Sequence, residues 1–154
     1  MEWISWVLFR FDGRIDRITW LGFFVALAAA ESITGSLLRE MSAMPIPTGA
    51  IPPEDFFSDR AALVAELIFL WPSLAVDVKR WHDIGKSGWL TLGAYGPVFA
   101  MYLLEELKNA GVIPAVPLPG LLMSTLGLIF LVYLVLLAAG RGVSGTNRFG
   151  EAAS

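Results

Sequence analysis

Apolar residues along this chain fall into four long blocks, near residues 18–38, 61–78, 88–104 and 118–139. Each approaches the ~20 residues that a helix needs to cross a hydrocarbon core of ~30 Å. The fourth, LPGLLMSTLGLIFLVYLVLLAAG, contains no charge, while the first and second carry one acid each, Glu31 and Glu66. The third is short and contains Gly96-Pro97, a pair expected to bend it. Either it spans fully or it is a re-entrant or buried segment. The pattern therefore predicts an all-α membrane protein with four transmembrane helices.

The polar stretches between the blocks differ in kind. Residues 39–60 hold Pro45, Pro47, Pro52 and Pro53 and read as an irregular outer loop. Residues 84–88, IGKSG, are a tight turn that makes the second and third spans an antiparallel hairpin. Ahead of the first span, Trp3, Ile4, Trp6, Val7, Leu8, Phe9 and Phe11 form either a short helix in the headgroup region or an N-terminal extension of that span. No internal repeat and no linker interrupts the chain, which reads as one membrane domain over residues 1–154.

Composition strengthens this picture: 56% of residues are apolar, 16% are charged and six are Trp. A net charge of −3 gives no reason to expect nucleic acid as a partner. Cysteine is absent, which removes disulfides, thiolate nucleophiles and Cys-based metal sites from consideration. Acids at Glu2 and Asp12 do not suit a secretory leader, so the first apolar block reads as a retained anchor.

The distribution of cations then sets orientation. Arg10, Arg14, Arg17, Lys79, Arg80, Lys86, Arg141 and Arg148, eight of the eleven Lys and Arg, fall on one side of a four-span arrangement. The other side holds Arg39, Arg60 and Lys108 among several acids. The positive-inside rule places both termini in the cytoplasm.

Three polar stretches converge on that cationic side: FRFDGRIDRITW at 9–20, KRWHDIGKSGW at 79–89 and GTNRFG at 145–150. Together and in this order they resemble the small bacterial inner-membrane family called domain of unknown function 805. Phe11, Gly13, Arg14, Arg17 and Trp20 match its opening motif. Arg80, His82, Asp83, Gly85, Ser87, Gly88 and Trp89 match its centre, and Asn147, Arg148, Phe149 and Gly150 its close. Lys79 stands where the family usually has Arg, and GRGVS lacks the usual prolines. The resemblance implies a bacterial inner-membrane location and implies no activity.

Two physical readings of the motifs stay open. In the structural one, Trp81 and Trp89 sit in the aromatic belt and Gly85 ends a helix in the left-handed region. Lys79 then pairs with Asp83 and Asp77 with Arg80 along one helix surface, and His82 bonds a neighbouring carboxylate or carbonyl. In the other, Arg14, Arg17, Arg80, Lys86 and Arg148 surround the phosphate of an acidic lipid headgroup, with His82, Asp83 and Asn147 in the same cluster. His82 would tune that affinity by titrating near neutral pH.

One His with scattered Asp is too thin a set for a metal site, and no nucleophile elbow or P-loop accompanies it. No enzyme activity, cofactor or metal is expected.

Glu31 and Glu66 fall at similar depth beneath the outer surface, close enough to share a proton if their helices pack together. Glu66, Ser73, Asp77 and Arg80 lie on one face of the second span. That stripe is either a buried seam, with small residues such as Gly96, Ala100, Gly120 and Ser124 permitting close approach, or the lining of a solute path. The leading expectation is a non-catalytic interaction or scaffold protein whose cytoplasmic motifs engage acidic lipid, alone or as an oligomer or with another membrane protein. The alternative is a small transporter or channel component using the stripe.

Overall fold

A computed structural model describes residues 2–42, 54–109, 111–114 and 120–152. Among the described residues five helices follow one another: α1 Glu2–Phe9, α2 Arg17–Ser42, α3 Glu54–Asp83, α4 Leu90–Asn109 and α5 Gly120–Ala139. No strand occurs among the described residues; one isolated bridge joins Asn147 and Gly150. The all-helical expectation holds at this level. Among the described residues two helices, over Arg17–Met41 and Gly120–Ala139, are long and apolar enough to cross a membrane, and Leu90–Leu104 is a shorter apolar stretch.

The helices outrun the apolar blocks that announced them. α2 continues to Ser42 and α3 begins at Glu54, so both ends of the expected irregular stretch 39–60 are helical. The prolines lie within residues 43–53, outside the described residues. Backbone hydrogen bonding does not stop where side chains turn polar. At the other end of the chain, α1 is a helix in its own right and not an extension of α2. The intervening backbone turns at Gly13, whose φ of 90° lies in the region that favours glycine.

The chain divides into two compact units, residues 1–11 with 18–76 and residues 12–17 with 77–154. In the first, aromatic contacts hold α1. The rings of Trp3 and Phe23 lie 5.6 Å apart, and Phe11 meets Trp71 edge-on at 5.0 Å. Trp71 Nε1 also donates to the Phe9 carbonyl at 3.4 Å. Val7, Trp20 and Ala65 are buried here. Glu31 and Glu66 are half-buried in this unit and interact electrostatically.

In the second unit α4 packs on α5. The end of α3 joins them through Asp77, whose Oδ2 accepts from Tyr133 Oη at 2.7 Å and Tyr95 Oη at 3.1 Å. Trp81 packs against Tyr133, with ring centroids 5.7 Å apart. The two tryptophans assigned to an aromatic belt therefore part company: Trp81 is 6% exposed in this core and Trp89 is 78% exposed.

Small residues expected at a helix seam are also placed otherwise. Gly96, Ala100, Gly120 and Ser124 are exposed, and a Cβ added at Gly96 or Gly120 would meet nothing within 4 Å. Close approach happens instead beside the turns. A Cβ at Gly88 would come within 2.5 Å of Val78 Cγ1, and one at Gly142 would collide with Asp83 Oδ2.

Candidate functional site

The second unit gathers parts of all three polar motifs around the C-terminal end of α3. That end closes in a Schellman turn: Gly85 has φ 78°, its N–H donates to His82 O at 3.1 Å, and Lys86 N–H donates to Trp81 O at 2.9 Å. The last carbonyls of the helix are then met by residues from the distant tail. Val143 N–H donates to Asp83 O at 2.8 Å, and Asn147 Nδ2 donates to His82 O at 2.9 Å. Asn147 also accepts from Phe149 N–H through Oδ1 at 2.8 Å and exchanges both backbone bonds with Gly150. The GTNRFG stretch is thus a tight hairpin keyed onto α3 by one amide side chain.

Asp83 is the hub of the cluster. Its Oδ1 accepts from Arg14 Nη2 at 3.0 Å and Nε at 3.3 Å, while Oδ2 accepts from Arg80 Nη1. Arg14, Arg80 and Asp83 are 6%, 1% and 4% exposed, so two almost fully buried guanidiniums share one carboxylate. Arg14 goes on to bind the carbonyls of Val143, Gly145 and Gly150. Arg80 donates through Nε to Leu137 O at 2.9 Å and through Nη2 to Gly140 O at 2.6 Å, satisfying carbonyls at the end of α5. The expected pairing of Arg80 with Asp77 is not the one formed: Arg80 turns forward to Asp83, and Asp77 receives the two tyrosines. Burial lowers the pKa of Arg80, and the neighbouring Asp83 and Asp16 charges oppose that shift.

Beside this hub lies an open pocket of about 500 Å³. Four arginines, Arg14, Arg17, Arg80 and Arg141, and two aspartates, Asp16 and Asp83, line it. The lining is therefore cationic by two charges. Arg141 and Asp16 complete a set that motif reading recovered only in part. Arg141 was visible as a cation on the same side, but it falls between the central and closing motifs.

Other expected members lie elsewhere. Lys86 is exposed in the turn after α3, and the Arg148 guanidinium lies 4.5 Å from the Phe149 ring centroid; neither lines the pocket. His82 stacks on Phe149 with centroids 3.8 Å apart and planes within 6°. Its Nδ1 lies 3.2 Å from the Gly13 carbonyl, a bond made when Nδ1 carries the proton. Burial lowers the His82 pKa below its ordinary 6.5; the Gly13 bond opposes this, and the Lys79 and Arg148 charges add to it. His82 is thus a structural strut between the opening and closing motifs and does not line the pocket. Of the remaining opening residues, Phe11 and Trp20 belong to the first unit.

Among the described residues no three His, Cys, Asp or Glu side chains are grouped to hold a metal ion.

Comparison with known proteins agrees with the family resemblance. A family described as a protein of unknown function, DUF805, matches residues 8–151. An uncharacterised protein YiiR of Escherichia coli K12 is 30% identical over 149 residues, covering 94% of this chain and 86% of its own. The uncharacterised YiiR of Escherichia coli O157:H7 matches to the same extent. No solved structure matches. With three ordered motifs and a family match over nearly its whole length, the chain belongs to the DUF805 family.

Proposed function

We propose that this is a four-span bacterial inner-membrane protein with both termini in the cytoplasm, acting without catalysis as a scaffold whose cytoplasmic rim binds acidic lipid headgroups. The observation that carries the reading is the pocket lined by four arginines against two aspartates. Basic pockets on the cytoplasmic side of helical bundles suit anionic headgroups. The spans are assigned to α2, the Ala61–Val78 portion of α3, α4 and α5, with the cation bias setting their direction. Exposed apolar side chains along three of them, including Val25, Ile33, Leu103, Leu128 and Val135, support a lipid-facing surface. No cofactor is required, and self-association or another membrane protein is compatible with so much apolar surface.

A small transporter using the Glu66-to-Arg80 stripe is the second reading, and the bonding of Asp77 to Tyr95 and Tyr133 counts against it. A carboxylate held by two helices acts as a fastener.

The test is lipid retention by the purified full chain. It should keep phosphatidylglycerol or phosphatidic acid over phosphatidylcholine, and Arg141→Gln with Arg17→Gln should abolish that preference. Equal retention of neutral and acidic lipid would overturn the reading. For topology, cysteines placed at Ser58 and Ser144 should label from opposite faces, and same-side labelling overturns the four-span arrangement.

A further inference from the structure

The four arginines of the pocket are not equivalent, and donor counting separates them. A guanidinium has five N–H donors. Arg14 commits all five inside the protein, to Asp83, Val143, Gly145 and Gly150. Arg80 commits three, to Leu137, Asp83 and Gly140, and so keeps one N–H on each terminal nitrogen. Arg17 and Arg141 are exposed, and among the described residues no group accepts from either side chain. Ser144 adds a hydroxyl to the same lining. The pocket thus has a tied inner floor and two uncommitted forks.

The charge count adds a second constraint. Four arginines and two aspartates leave two positive charges around the pocket. A phosphodiester carries one negative charge, whereas a phosphomonoester carries about 1.5 to 2 at pH 7. Only the monoester brings the pocket near neutrality, and its three terminal oxygens can engage two forks at once.

We propose that the pocket selects a phosphomonoester dianion, held by Arg17 and Arg141 with the two spare Arg80 donors, while Arg14 is a structural residue that does not touch the ligand. The proposal rests on the anionic-headgroup reading and narrows it. The monoester can be carried by a lipid such as phosphatidic acid or by a soluble phosphate ester.

The test uses the full chain in phosphatidylcholine nanodiscs doped with equal fractions of phosphatidic acid or phosphatidylglycerol, with bound lipid counted by native mass spectrometry. Retention of phosphatidic acid should exceed that of phosphatidylglycerol at least tenfold. It should fall about tenfold in Arg17→Gln or Arg141→Gln, the scale of one lost charged hydrogen-bond set. Lys86→Gln, a cation outside the lining, should leave it unchanged. Equal retention of the two lipids, both reduced in the Arg variants, overturns monoester selection and leaves the broader headgroup reading standing. Retention of neither lipid overturns both, and retention insensitive to the Arg variants overturns the pocket as the site. Glycerol 3-phosphate then identifies the source: displacement of phosphatidic acid points to a soluble ester, and failure to displace points to the lipid, each in support of the shared chemistry.

Discussion

Asp83→Asn is expected to lower the stability of the protein by about 3–5 kcal/mol, the cost of stripping one partner from a buried ion pair. The reason lies in what remains. Arg14 and Arg80 both approach Asp83, and both are almost fully buried. Removing the negative charge leaves two almost fully buried guanidiniums facing one another with no carboxylate between them. Asparagine keeps the shape and one acceptor oxygen, so the loss reads the charge and the second acceptor, since Oδ1 and Oδ2 each accept from an arginine. The midpoint of thermal unfolding, followed by Trp fluorescence in detergent, should drop on the order of 10 °C. Residues 141–152, which Arg14 and Asp83 hold through Val143, Gly145 and Gly150, should become sensitive to protease. Adding Arg14→Gln to Asp83→Asn should recover part of the loss, because one of the two unpaired charges is gone and the sites are coupled. A drop of only a degree or two, with an intact tail, would show that the ion pairs contribute little.

This network also shows where sequence reading reaches its limit. Helices were legible because lipid-length apolar blocks leave a strong one-dimensional signal, and α5 lies over Gly120–Ala139 against an expected 118–139. Ends were less legible, since α3 runs 30 residues through Pro72 and well past its apolar stretch. Local pairings such as Asp77 with Arg80 are what spacing along a helix can suggest. The partners that matter for Asp83 and Arg14 are 69 residues apart in sequence, and the other acceptors of Arg14 are backbone carbonyls, which carry no side-chain signature. The motifs did single out Arg14, Asp83 and Asn147, the residues that tie the unit together. They did not distinguish the fully committed Arg14 from the uncommitted Arg17, because that difference exists only once donors and acceptors are in place.

The same donor logic gives the second large effect, at Asp77. Replacement by leucine should cost about 2–4 kcal/mol, because Tyr95 and Tyr133 lose a common acceptor and an unmet buried hydroxyl costs about 1–3 kcal/mol. Tyr133 is 6% exposed, so water offers it little compensation. Tyr133→Phe removes one donor and leaves Asp77 bonded to Tyr95, and should cost about 1 kcal/mol. Asp77→Asn keeps an acceptor in place and should fall between the two. This ordering follows if Asp77 is a fastener joining α3 to α4 and α5, and it bears directly on the polar stripe. A stripe that conducts protons needs a carboxylate free to exchange them, so Asp77→Asn would then leave stability near normal while ending flux in proteoliposomes. Measuring both quantities on the same variants separates the roles: a stability loss graded with the number of hydroxyls left unmet, and no flux to lose, assigns the stripe to packing, whereas lost flux on an undisturbed fold assigns it to transport.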